Sequence, residues 1–137
     1  MVLLSSCSSN SLFFNKERLV KKQNKGYFIY VNDKLVLVKN YFLTNTSLII
    51  EEEKRIIKIY KPGIKSLKNL LENKYKNLKE IGVIIIDGIV YDKKFLKDIY
   101  IEESLIKNLR FLDPAFIKSQ VHFHNNKLIL IVSTKIS

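Results

Sequence analysis

Lys34–Lys58 reads KLVLVKNYFLTNTSLIIEEEKRIIK. Its first part, Leu35–Phe42, is apolar or alternating and rich in β-branched and aromatic side chains, which suit a pleated, half-buried surface. Thr44-Asn45-Thr46 is a polar turn. Ser47–Ile50 and Arg55–Tyr60 then read as two strands around the charged turn Glu51-Glu52-Glu53-Lys54. Upstream, Tyr27–Val31 is a further strand. Asn32-Asp33-Lys34 joins it to the next one, and such residues tolerate tight hairpin geometry. Lys54, Arg55 and Lys58 give that edge a charge that resists edge-to-edge aggregation.

Outward from this core, helices flank the strands. Asn15 is a capping residue for a helix over Lys16–Gln23, with Leu19 and Val20 facing inward and Gly26 beyond its end. Pro62-Gly63 breaks the sheet. Ser66 opens a second helix in which Leu67, Leu70, Leu71, Tyr75 and Leu78 recur at three- and four-residue spacing. Lys65, Lys68, Lys74 and Lys76 fall on its other face. Gly82–Ile86 is a buried-type strand, and Asp87-Gly88 is a turn signal. A third helical region is expected over Lys94–Leu112, interrupted near Ile101, with Leu105, Ile106, Leu109 and Leu112 as its stripe. Asp113-Pro114 starts another helical turn. Val121–His124, a turn at Asn125-Asn126 and Leu128–Thr134 form a closing hairpin. No internal repeat and no low-complexity linker is evident.

The expectation is therefore an α+β chain: small mixed or antiparallel sheet domains with two to three helices. Residues 1–10 form a loose terminus, 11–60 a helix with antiparallel strands, and 61–137 an α+β part with a C-terminal hairpin. With 137 residues and 47% apolar content the chain can build a real core, so global disorder is excluded.

The net charge is +11, which draws nucleic acid or an anionic membrane surface. Only Arg18, Arg55 and Arg110 are arginines, and Ala115 is the only alanine. That bias toward lysine, isoleucine and asparagine is what codon drift in an AT-rich gene produces. It weakens the case for a selected polyanion site, which favours arginine forks. Cys7 is the only cysteine, so no internal disulfide or cysteine cage for zinc can form. Leu4-Ser5-Ser6-Cys7 matches the lipid-attachment pattern of bacterial lipoproteins, although only Val2, Leu3 and Leu4 supply the apolar segment before it. No apolar run reaches the length of about 20 residues that spans a bilayer.

Chemistry-bearing residues are sparse. His122 and His124 are the only histidines and share one strand face. They supply half of a metal site with no acid or cysteine beside them, and a solvated or pH-sensitive face is the alternative. Glu51, Glu52 and Glu53 cannot all converge on one bond, as paired-carboxylate catalysis requires. Asp87-Gly88 follows a strand but lacks a glycine-rich phosphate cradle. Tyr27, Phe28 and Tyr30 lie near lysines without a base-stacking signature. An enzyme is the poorest class, and neither a cofactor nor a metal is expected.

Two segments carry a family resemblance. Leu37-Val38-Lys39-Asn40-Tyr41-Phe42, Asn45-Thr46-Ser47-Leu48-Ile49-Ile50 and Glu52-Glu53-Lys54-Arg55 resemble the end of the POTRA domain, and the strand after it, in FtsQ/DivIB bacterial division proteins. Ser11–Leu19 is similar to the segment before the last POTRA helix. Farther on, the likeness to that family's β-domain is topological. Leu43-Thr44 stands where the family has a proline before Asn-Thr, Ser47 is an extra residue, and Ile56 or Ile57 occupies a further proline position. The cytoplasmic tail, membrane helix and first part of POTRA have no counterpart.

The resemblance implies a POTRA-like first part, a β-domain-like second part and a non-catalytic scaffold of the cell envelope. It would lie on the extracytoplasmic side of the cytoplasmic membrane and bind small partners of the FtsB/DivIC and FtsL kind. Within KLILIVSTK (Lys127–Lys135), the candidate partner-binding residues are Leu128, Ile129, Leu130, Ile131 and Val132. If this strand lies at a sheet edge, a partner strand can add to it through main-chain bonds; a central strand is the alternative. Two other classes stay open: a lipoprotein anchored at Cys7, and a basic RNA- or ribosome-associated protein using the lysine helix face.

Overall fold

A computed structural model describes residues 13–75, 78–113 and 128–135. The chain is α+β, and it divides after Ile64 into two compact units, residues 1–64 and 65–137.

In the first unit, α1 (Lys16–Asn24) starts where Asn15 Oδ1 accepts from the Arg18 amide at 3.0 Å, a side-chain cap of an otherwise unpaired helix donor. Leu19 is its buried residue. The chain leaves through Gly26 at φ +103°, a left-handed conformation that favours glycine. β1 (Phe28–Val31) turns at Asn32 and Asp33, both at positive φ, into β2 (Lys34–Leu35). A 3-10 turn (Val38–Asn40) and β3 (Tyr41–Phe42) follow, then β4 (Leu48–Glu51) and β5 (Ile56–Ile59). The sheet order is β2-β1-β5-β4, with β1 parallel to β5 and the other pairs antiparallel. Ile29, Val31, Ile57 and Ile59 are buried at every second position, the period that points alternate side chains to one face. Each such side chain contributes about 1.5–3 kcal/mol of burial.

In the second unit, Ser66 caps α2 (Leu67–Glu72), whose Leu67, Leu70 and Leu71 are buried. A 3-10 turn (Leu78–Glu80) leads into β6 (Ile81–Ile86), which turns at Asp87 and Gly88 into β7 (Ile89–Asp92). Then come a 3-10 turn (Lys93–Lys97), β8 (Tyr100–Ile101), a 3-10 turn (Glu103–Leu105), β9 (Ile106–Leu112) and β10 (Leu128–Thr134). The order is β7-β6-β10-β9, with β6 parallel to β10 and the outer pairs antiparallel.

The two units follow one plan. Each has a helix, a tight hairpin, a 3-10 turn, a two-residue strand and two more strands, the last lying parallel to the first. The likeness extends to single bonds. Val31 is in register with Ile59, and Ile86 with Val132. The next residue, Asn32 or Asp87, sits at φ +51° or +49°. Its amide donates to the Ile59 carbonyl at 2.9 Å, or to the Val132 carbonyl at 3.0 Å. Its Oδ1 accepts the amide two residues farther along, from Lys61 or from Thr134, at 2.7 Å in both cases. The side chain thus replaces the ladder bond that the turning backbone can no longer make. The sequence has no internal repeat, and the residue identities of the two units differ, yet the plan of elements recurs.

Three element expectations are corrected. The strand over Leu35–Phe42 stops at Leu35, because the Gln23 side chain captures the backbone beyond it. Gln23 Nε2 donates to the Val36 carbonyl at 2.7 Å, and Oε1 accepts from the Val38 amide at 3.0 Å. α2 ends at Glu72 rather than reaching Leu78. Lys94–Leu112 is not helical. Asp92 caps a 3-10 turn through the Lys94 amide at 2.9 Å, and Ile106–Leu112 is a strand along β10. Its three- and four-residue apolar spacing fits a helix, but pairing beside the apolar β10 overrides that local pattern. The expected turn at Asp113-Pro114, the strand over Val121–His124 and the loose terminus lie outside the described residues, apart from Asp113 itself.

Candidate functional site

Leu128–Val132 lie in a central strand, so the edge condition for partner addition there is not met. β10 is bonded to β6 on one side and to β9 on the other. Ile129, Leu130 and Val132 are fully buried, and Leu128 and Ile131 are half-buried. These residues build the core, and their main-chain groups are committed to two neighbours. Cys7, His122 and His124 lie outside the described residues.

The acidic turn disperses, as its spacing implies. Glu51 faces Lys58 at 3.2 Å and Lys54 at 3.5 Å, and Glu52 accepts from the Tyr27 hydroxyl at 2.6 Å. The bond and charge of Lys58, with Lys54 adding to them, hold the Glu51 carboxyl below its ordinary range. The bond to Glu52 holds the Tyr27 hydroxyl above its own. Asp33 does the same for Tyr60, whose hydroxyl donates to it at 2.9 Å. Asp87 clamps Thr134, through both its amide and its hydroxyl. These four acids therefore serve turns and strand ends. Among the described residues no three histidine, cysteine or acidic side chains gather as a metal site would require.

Several cations likewise have local partners. Lys16 Nζ lies 3.2 Å from the centre of the Phe42 ring and Lys22 Nζ 4.8 Å from that of Tyr27. Lys21 faces Glu17 at 3.9 Å, and Lys74 bonds Glu103 at 3.1 Å. The lysine face of the second helix shrinks with the helix itself, and Lys76 lies outside the described residues. A cleft lined by Phe13, Asn15, Arg18, Leu19, Lys22, Leu48 and Ile50 encloses about 10 Å³, room for a single water.

The feature that sequence reasoning missed is β7. Ile89 and Val90 are 58% and 64% exposed, the highest values for large apolar side chains among the described residues. The tight Ile86–Ile89 turn makes Ile86 and Ile89 exchange hydrogen bonds, and alternation makes Ile84 and Tyr91 the next such pair. Val90, between them, directs its N–H and C=O away from the sheet. Burial, and then the charge of Asp87, push the Tyr91 hydroxyl up. The signal was present as Asp87-Gly88 followed by Ile89-Val90-Tyr91, a hairpin turn with an apolar return strand.

Among the described residues no helix is long and apolar enough to cross a membrane. No protein-family model matches the chain, and neither curated proteins nor solved structures provide a match.

Proposed function

We propose that this chain is a non-catalytic interaction protein that works through an open sheet edge. The observation that supports this most is β7: among the described residues it is bonded on one side only, with Ile89 and Val90 exposed and the Val90 main chain directed outward. An edge of that kind is a template for a partner strand, and natural proteins usually blunt such edges. The engagement of the acids in turns and clamps favours binding over bond chemistry.

The likeness of Leu37–Arg55 to FtsQ/DivIB proteins supports a place in the cell envelope, on the extracytoplasmic side of the membrane, with partners of the FtsB/DivIC and FtsL kind. The test is direct binding of the purified full chain to the extracytoplasmic segments of such partners, with fractionation of the source cells. Saturable binding and recovery with the envelope are expected. A soluble chain that ignores those partners would refute the division reading.

A further inference from the structure

We draw no further inference here: the strongest candidate, the outer face of the first sheet, where Phe28, Leu35 and Ile49 are exposed beside half-buried Tyr30 and Ile56, is an apolar surface whose charges Lys58 and Glu51 pair with each other, and nothing in the structure shows what covers it.

Discussion

Asp87 is the residue on which the second unit should depend most for its size. Its carboxylate accepts from the Thr134 amide at 2.7 Å and from the Thr134 hydroxyl, and Thr134 is fully buried. Hydrogen bonds to a charged acceptor contribute about 1.5–3 kcal/mol each, and partial exposure of the clamp argues for the low end. Asp87 also sits at φ +49°, where alanine costs about 1 kcal/mol or more and glycine none. Asp87→Ala is therefore expected to destabilise the unit by about 4 kcal/mol and Asp87→Gly by about 3 kcal/mol. Asp87→Asn keeps the Oδ1 acceptor and a tolerable φ, and Asn32 does this work in the first unit with an amide. Its cost should be about 1 kcal/mol or less. Urea titration at neutral pH, followed by circular dichroism, measures the series. With a slope of about 1 kcal/mol per molar for a unit of this size, the alanine variant moves the midpoint by about 4 M. An alanine variant as stable as the parent, or an asparagine variant as damaged as alanine, would refute the clamp.

Gln23→Ala removes the bonds to Val36 and Val38 and should cost the first unit about 2 kcal/mol, measured by the same titration. Ile129→Lys places a charge at a fully buried position and should unfold the second unit, visible as collapse of its NMR dispersion, while half-buried Ile131→Lys is milder. Tyr27 and Tyr60 bond carboxylates and have hydroxyl pKa values raised above 10.0. Their contribution is complete below the ordinary tyrosine range and is lost as pH rises through the raised values, because the folded chain holds those protons longer. Tyrosine ring NMR titration should show both deprotonating late. Glu52→Gln and Asp33→Asn should return each toward its ordinary value.

Elements whose partners are near in sequence could be read directly. Asn15 before a charged run, Asn32-Asp33 between apolar strands, and Ser66 before a leucine spacing each state a local bond, and each bond forms. Elements decided at a distance could not. Leu105, Ile106, Leu109 and Leu112 fit a helix stripe, and only the presence of β10 makes them a strand. Lys127–Lys135 looks the same at an edge or in a centre, because apolar composition does not say how many neighbours a strand has. The repeated plan was hidden for a related reason: it lies in an Asx side chain at a turn and in a parallel register, and Asn32 and Asp87 differ in residue type. The candidate site shifted accordingly from the last strand to β7, whose short apolar run beside a tight turn drew attention as a turn rather than as an edge.

The openness of β7 is the observation on which the functional proposal stands, and amide hydrogen exchange on the free chain tests it without any ligand. Tyr91, bonded inward to Ile84, should be protected, whereas Val90 should exchange near the rate of an unstructured amide. Protection of Val90 equal to that of Tyr91 would mean that the edge is already covered, and the proposed surface would not exist.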